Sequence, residues 1–177
     1  MRILIITANG FEDSELICPA YRFKEEGFQV DIAVPEWGEV IGKKGYVVSA
    51  NLSLDDVEPS AFDALYLPGG KAPASLKHMP DVQKIVQAFE KEKKPIAAIC
   101  HGPLILAAAG ILQGRKATCY WKVAEDIEDA GAKYDNVPVI RDGNIVTARK
   151  PEDIPYFMKE IIGLLKEKSS NDGANGL

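Results

Sequence analysis

A short apolar run that ends in a cysteine constrains the fold of this chain more than any other stretch. The run covers residues 96–100 (IAAIC), is preceded by Pro95, and is followed at once by a helix-like segment over 104–109. An apolar run of this length, set off by a proline, predicts a buried central strand. Pro103 suits the first turn of a helix, where its missing N–H costs nothing. The stretch therefore predicts a sharp strand-to-helix turn at Cys100, the geometry of a nucleophile elbow.

The predicted turn gives Cys100 a chemical role. Its thiol would face the positive end of a helix, and a neighbouring backbone N–H could receive an oxyanion. Both effects favour the thiolate, which is the reactive form, so we expect Cys100 to be the only strongly acidic thiol. The alternative is a small buried apolar residue, as most free cysteines are. Cys18 and Cys119 have no comparable surroundings and are expected to be structural.

Composition limits the classes of protein to which the chain can belong. Its 177 residues favour one domain, and an apolar fraction of 46% can fill a full-sized core. A net charge of −5 without a basic cluster argues against nucleic acid and anionic membranes as partners. Three cysteines without disulfide-like spacing suit a reducing compartment. No run is long enough for a signal sequence or a membrane span, so a cytoplasmic protein is expected.

Buried strands alternate with helical patterns along the chain. This alternation predicts an α/β fold with a doubly wound, mainly parallel sheet sandwiched by helices, in one domain over 1–167. Residues 168–177 bury too little surface to stay ordered and are expected to form a disordered tail. The predicted strands are 2–7, 28–34, 63–67, 95–100 and 117–120; the helices are 13–26, 81–93, 104–109, 123–130 and 154–167; hairpins are expected over 40–50 and 137–148, the second with a type I′ turn at Asp142-Gly143.

Three polar or glycine-rich segments should meet at one edge of this sheet. Ligands of such sheets bind at the carboxyl ends of the strands, and segments 8–14, 68–73 and 100–103 each follow a predicted strand. We therefore expect them to form one pocket. Asp13 or Ser14 would cap the helix that follows the first segment.

Several motifs in these segments resemble the PfpI family of the ThiJ/PfpI superfamily, over roughly residues 2–166. Members of this family are described as intracellular cysteine peptidases, protein deglycases and glyoxalases, with a flavodoxin-like fold akin to class I glutamine amidotransferases. The motifs that carry the resemblance are Phe11-Glu12-Asp13 with Glu15-Leu16 and Pro19, Leu67-Pro68-Gly69-Gly70, and Ile99-Cys100-His101-Gly102-Pro103.

The resemblance implies a role for each of these residues. Cys100 would be the nucleophile, His101 its imidazole partner, and the N–H groups of Gly70 and His101 the oxyanion hole, with Tyr120 and Gly69 near the site. Glu12 would lie beside the thiol. A carboxyl group there is pushed towards its neutral form and can donate or move a proton. Position alone leaves Glu12 and Glu15 equally plausible, and the resemblance decides for Glu12.

Other chemistries are disfavoured by residues that the chain lacks. The sequence has no histidine after His101, whereas glutamine amidotransferases use a histidine–glutamate pair that lies later in the chain than the cysteine. Cysteine and histidine spacing does not suit zinc, so no metal is expected. Gly69-Gly70 lacks the lysine and hydroxyl residue of a phosphate-binding loop. We expect an enzyme without a cofactor.

Two departures from the family pattern bear on the substrate. Ala74 stands where peptidase members carry an acidic residue that reaches a neighbouring subunit's histidine, and Trp121-Lys122 replaces the usual Pro-Gly. His101 would then lack an orienting carboxylate, which weakens the peptidase interpretation. We therefore expect a glyoxalase or deglycase-like hydrolase acting on small carbonyl or peptide substrates, in a dimer or hexamer. The alternatives are an intracellular cysteine peptidase, and a redox-sensing or holding-chaperone stress protein.

Overall fold

A seven-stranded sheet forms the centre of the structure, a computed structural model that describes residues 1–174. Its strand order is β10-β11-β7-β6-β1-β2-β5, and every neighbouring pair is parallel except β10–β11. The doubly wound, mainly parallel sheet predicted from the sequence is confirmed. The strands in chain order are β1 (Arg2–Ile6), β2 (Gln29–Val34), β3 (Glu39–Ile41), β4 (Val47–Ser49), β5 (Leu52–Ser53), β6 (Ala64–Leu67), β7 (Ile96–Ile99), β8 (Lys116–Ala117), β9 (Lys133–Tyr134), β10 (Val139–Asp142) and β11 (Ile145–Ala148).

Helices cover both faces of the sheet, which is why β1, β6 and β7 are continuous apolar runs. The helices are α1 (Asp13–Glu25), α2 (Ala72–Leu76), α3 (Pro80–Lys91), α4 (Pro103–Ala108), α5 (Ala124–Asp129) and α6 (Ile154–Ala174). On one face α1 packs beside α6, and Tyr66 of β6 lies between Phe23 and Phe157 of those helices. On the other face α3 covers β6 and β7 and contacts α4.

The first hairpin forms a separate two-stranded sheet that lies on the loop after β1. The N–H of Gly10 donates to Ile41 O, and the N–H of Lys43 donates to Phe11 O, both at 2.8 Å. Asp13 accepts hydrogen bonds from the N–H groups of Lys44 and Tyr46 at 2.9 and 3.0 Å. Asp13 therefore binds the hairpin and does not cap α1, contrary to the expectation that Asp13 or Ser14 would be the cap. The N-cap position is Glu12.

The second hairpin, β10–β11, has a different turn from the one predicted. Its two central residues are Gly143 and Asn144, and only Gly143 has a positive φ, of 59°. A type I′ turn needs positive φ at both central positions, whereas a type II′ turn needs it only at the first. Asn144 keeps a negative φ while its side-chain amide donates to the carboxylate of Glu90 at 2.8 Å and to Lys94 O at 3.0 Å.

The strand predicted over 117–120 is shorter, because its last residues turn towards the sheet edge. The backbone N–H of Thr118 donates to Thr147 Oγ1, and that of Tyr120 donates to Cys100 O, both at 2.9 Å. These bonds withdraw residues 118–120 from any ladder. What remains, β8, pairs with the two-residue strand β9, which the sequence did not suggest.

The last helix, α6, crosses the predicted boundary between domain and tail. It was expected to end at Glu167 but continues to Ala174. The hydroxyl groups of Ser169 and Ser170 donate to the carbonyl groups of Leu165 and Lys166 one turn earlier, which extends the helix without further burial. Residues 168–174, expected to be disordered, are therefore helical, and residues 175–177 lie outside the described residues.

Candidate active site

Cys100 lies at the sharp turn between β7 and α4 with a φ of 62°, in the left-handed region that residues with a Cβ rarely adopt. Hydrogen bonds hold this conformation on both sides: the N–H of Cys100 donates to Ala148 O, and its carbonyl accepts the N–H of Tyr120, each at 2.9 Å. The helix can start at once because Gly102 has no side chain; a Cβ there would lie 2.5 Å from Leu67 O. The strand–turn–helix geometry predicted for Cys100 is present.

The glycine pair after β6 brings a second loop against the first. Gly70 has a φ of 84° and forms an isolated antiparallel bridge with Phe11. A Cβ on Gly70 would lie 2.3 Å from the backbone nitrogen of Glu12, so only glycine allows this close approach. On Gly69, a Cβ would lie 2.7 Å from the Cβ of Cys100. The two loops and the elbow therefore meet, as the sequence predicted.

The sulfur of Cys100 is surrounded by hydrogen-bonding groups. Nδ1 of His101 lies 3.1 Å from Sγ. The backbone N–H groups of Gly70 and His101, the two expected to form an oxyanion hole, donate towards the sulfur and favour its anion. Burial and the facing carboxylate of Glu15 outweigh them and raise the pKa of the Cys100 thiol above its ordinary value. The raised pKa runs against the expectation that Cys100 is the only strongly acidic thiol, and its causes are burial and the charge of Glu15.

Glu15, not Glu12, is the carboxyl group beside the thiol. Its side chain is fully buried, and Oε2 accepts the N–H of Gly69 at 2.8 Å. Burial raises its pKa to about 7, against the lowering effects of the Gly69 N–H and the Cys100 thiol. Its Oε1 is buried with no hydrogen-bond partner among the described residues. The hydroxyl of Tyr66 donates to Glu15 O at 2.7 Å and fixes the backbone there.

Glu12 lies at the mouth of the same cavity and makes different contacts. As the N-cap of α1 it turns towards the hairpin, where its carboxylate oxygens lie 3.6 Å from Lys43 Nζ and 3.2 Å from Lys44 Nζ. The hydroxyl of Ser14 is 3.5 Å away. Glu12 therefore pairs with the two ammonium groups of the hairpin turn, whereas we expected it to lie beside the thiol. The carboxyl group that faces the thiol is that of Glu15, one helical turn further on.

The surroundings of His101 favour its neutral imidazole form. Burial lowers its pKa, and the positive charges of Lys43 and Lys122 lower it further. Its ring stacks on Tyr120 with centroids 5.1 Å apart and an angle of 31° between the planes. Among residues 1–170 no carboxylate forms an ion pair with His101, which fits the alanine at position 74.

One cavity of about 670 Å³ collects the residues of this site. It contains the predicted Cys100, His101, Gly70, Tyr120, Ala74 and Glu12. The sequence interpretation missed Glu15 as a partner and missed four lysines, although two of them form the predicted hairpin turn. The missed lining residues are Glu15, Lys43, Lys44, Lys71, Lys150 and Pro151.

The other two cysteines lie away from this cavity. Cys119 is buried, and burial together with Asp126 and Glu128 raises its pKa to about 12, consistent with a structural role. Cys18 is exposed and borders a separate groove of about 760 Å³ between α1 and α6. Within the described part of the chain, no cluster of three or more His, Cys, Asp or Glu side chains could hold a metal ion. No helix in that part is long and apolar enough to span a bilayer.

Comparison with known proteins supports the interpretation of these motifs. The chain matches the DJ-1/PfpI family over residues 1–164. It is 46% identical over 166 residues to the deglycase PfpI of Pyrococcus furiosus, covering 94% of this chain and 100% of that protein. It is 38% identical over 167 residues to protein/nucleic acid deglycase 2 of Escherichia coli, covering 93% and 97%. The crystal structure of Drosophila melanogaster DJ-1beta superimposes with a TM-score of 0.86 at 28% identity, covering 99% and 96%. These matches confirm the predicted resemblance: the chain belongs to the DJ-1/PfpI family.

Proposed function

We propose that this protein is a deglycase or glyoxalase-type hydrolase that uses Cys100 to attack carbonyl compounds. One observation carries the proposal: a buried thiol, a carboxyl group with a pKa of about 7 and two backbone N–H donors meet at one wall of an open cavity. The relatives named deglycases share almost the full length of the chain. A carboxyl group that titrates near neutral pH can both accept and donate a proton during turnover.

The first step joins the sulfur to the substrate. Glu15, as a carboxylate, takes the thiol proton while Sγ bonds to the aldehyde carbon of a 2-oxoaldehyde. The carbonyl oxygen gains the negative charge, is held by the N–H groups of Gly70 and His101, and receives a proton from Glu15. The product is a hemithioacetal, and the proton count is unchanged.

The second step moves hydrogen and releases the product. Neutral His101 removes the proton from the former aldehyde carbon and returns it to the neighbouring carbonyl carbon. Glu15 carries the hydroxyl proton of the hemithioacetal to the oxygen on that neighbouring carbon, and the two transfers convert the hemithioacetal into a thioester. Water hydrolyses the thioester, giving a 2-hydroxy acid and restoring the Cys100 thiol. In a deglycase the carbonyl compound arrives attached to an amine, which leaves before or during the same steps.

Purified protein tests the proposal directly. With methylglyoxal, lactate should form at a rate that disappears in Cys100→Ser, and a peptide pretreated with methylglyoxal should regain its free amine. Lys84→Met, a substitution on the far surface of α3, serves as the matched control and should leave both rates unchanged. Wild-type protein that forms neither lactate nor free amine, or Cys100→Ser protein that retains the rate, would refute the proposal.

Peptide hydrolysis is the less favoured activity, because His101 has no orienting carboxylate among the described residues. Loss of such a partner lowers the rate of a histidine-dependent hydrolase by about four orders of magnitude. We predict that Ala74→Glu raises peptidase activity on casein, provided that the protein assembles as family members do, while methylglyoxal conversion changes less than about twofold. Efficient casein cleavage by the unmodified protein would reverse this order of preference.

A further inference from the structure

Four lysines surround the cavity that holds Cys100. Lys43 and Lys44 come from the turn of the first hairpin, Lys71 from the loop after β6, and Lys150 from the segment after β11. Three separate parts of the chain thus bring positive charge to one cavity of a protein with a net charge of −5. The proposed reaction steps use none of these lysines.

The acidic groups of the cavity do not neutralise this charge. Lys43 and Lys44 share a single carboxylate, that of Glu12. Among residues 1–170, neither Lys71 nor Lys150 lies within 4 Å of a carboxylate. Arg149, next to Lys150, is bound to Asp153 at 2.9 Å, so Asp153 is not available to its neighbour. At least two positive charges are therefore left facing the cavity.

The positive charge acts on the reacting groups themselves. The charge of Lys43 helps to lower the pKa of His101, and it partly offsets the effect of burial that raises the pKa of Glu15. The charge of Lys43 therefore acts on groups beside the thiol. A cleft lined by one sign of charge concentrates small ions of the opposite sign. Methylglyoxal is neutral and would gain nothing from such a lining.

We propose that the cavity selects anionic ligands, with Lys71 and Lys150 holding a carboxylate or phosphate group of the carbonyl substrate. The carbonyl part of this statement rests on the proposed function, whereas the preference for an anion is a property of the cavity. Ammonium groups on flexible stems bind both kinds of oxyanion as point charges. The ligand class is therefore a small 2-oxoaldehyde, or its adduct, that carries a negative group.

Alkylation of Cys100 tests the anion preference without any turnover. Iodoacetate and iodoacetamide are almost equal in size and differ in charge, and exposed Cys18 is an internal reference in the same chain. The ratio of iodoacetate to iodoacetamide rate should be about tenfold higher at Cys100 than at Cys18 at low salt. It should fall about threefold or more in Lys71→Met and in Lys150→Met. Lys71→Arg and the surface control Lys84→Met should keep the wild-type ratio.

The proposal would be overturned if the ratio of iodoacetate to iodoacetamide rate were equal at Cys100 and Cys18. It would also be overturned if neither Lys→Met substitution changed the ratio at Cys100. If a Lys→Met variant fails to fold, the same ratio is measured on the wild-type protein at increasing salt concentration. Because salt screens the lysine charges, the ratio at Cys100 should move towards that at Cys18. Inorganic phosphate and acetate, added as protectants against iodoacetamide, distinguish the two anions. Protection by phosphate alone assigns a phosphate group and protection by acetate alone a carboxylate, while protection by neither also overturns the proposal.

Turnover separates this proposal from the proposed function. If the proposed function holds, a 2-oxoaldehyde bearing a carboxylate or phosphate should have a lower KM than methylglyoxal. Lys150→Met should raise that KM towards the value for methylglyoxal, while the surface control Lys84→Met should leave both KM values unchanged. If neither compound is converted but the alkylation ratios follow the lysines, the carbonyl chemistry is wrong and the anionic ligand stands. If methylglyoxal is converted but the alkylation ratios do not change in the lysine variants, the carbonyl chemistry stands and the anion preference is wrong.

Discussion

At the scale of single residues, the main finding is that Glu15, and not Glu12, lies beside the thiol of Cys100. The sequence contained a signal that could have decided it. Glu15 lies four and eight residues before Pro19 and Phe23, on the stripe of α1 that packs against the sheet, and all three are buried. Glu12 precedes the helix, where a carboxylate serves the exposed N-terminus. Helical periodicity was thus a better guide than the motif.

Replacing the two glutamates separately should therefore give unequal losses. We predict that Glu15→Gln lowers methylglyoxal conversion by about a hundredfold or more, because an amide cannot move the proton. Glu12→Gln should lower it less than about tenfold, since Glu12 acts only through Lys43 and Lys44. The measurement is kcat/KM at pH 7 with circular dichroism as the folding control. Equal losses would show that both carboxyl groups transfer protons.

Glu15 should also leave a mark on the pH dependence of stability. Its pKa is about 7 in the folded protein and 4.5 without burial, so between these values the folded protein holds a proton that the unfolded chain has released. The free energy of unfolding therefore falls as pH rises through this window. Glu15→Gln, which cannot ionise, should be more stable than the wild type by up to roughly 3 kcal/mol above pH 7 and about equal to it below pH 4.5.

Urea unfolding of both proteins between pH 4 and pH 8 measures this difference. Other carboxyl groups contribute equally to the two curves, so only the difference between them reports on Glu15. A difference that stays constant across the window would mean that the carboxylate is better solvated than its burial indicates.

At the scale of elements, long periodic segments were predicted well and short or polar ones were not. The buried strands β1, β6 and β7 and the amphipathic helix α3 follow from apolar pattern alone. The pair β8–β9 is held by contacts distant in sequence, and each strand has only two residues. The turn of the β10–β11 hairpin depends on the bonds of Asn144 to α3 and the segment after it. No local pattern encodes such contacts.

Alanine substitutions at Gly102 and Gly163 test how tightly the elements pack, because a Cβ has no room at Gly102 and has room at Gly163. Gly102→Ala should destabilise the protein by about 2 kcal/mol or more, since its Cβ would lie 2.5 Å from Leu67 O. Gly163→Ala is the control: nothing lies within 4 Å of its Cβ, and alanine favours a helix interior by about 1 kcal/mol. Thermal unfolding should show opposite shifts. A stable Gly102→Ala protein would mean that α4 can move away from β6.

At the scale of the whole molecule, the mainly parallel sheet and the meeting of three loops followed from general rules for doubly wound sheets. The charge of the cavity did not, because its four lysines come from three segments that are far apart in sequence. Lys43 and Lys150 meet only through the path of the chain across the sheet. A local scan for basic clusters therefore missed a positive surface on an acidic protein.

The end of α6 gives a prediction at the same scale. Removing residues 168–177 should change the free energy of unfolding by less than about 0.5 kcal/mol and leave activity unchanged. The ion pair between Lys166 and Glu26 is retained, and the lost contacts of Ser169 and Ser170 lie at the surface. Calorimetry of the full and shortened chains measures the effect. A large fall in melting temperature would mean that the added turns of α6 are part of the domain.

The place of β7 in the sheet has a consequence for the newly made protein. β7 pairs with β6, which precedes it, and with β11, which is synthesised some fifty residues later. The N–H of Cys100 donates to Ala148 O, so the elbow lacks this hydrogen bond until β11 has left the ribosome. Until then the chain around the thiol is incompletely folded, and the cavity and the contact with the carboxyl group of Glu15 have not formed. On the proposed anion preference, Cys100 in a nascent chain stalled before residue 145 should therefore show no charge selectivity and should react with aldehydes as any free cysteine does.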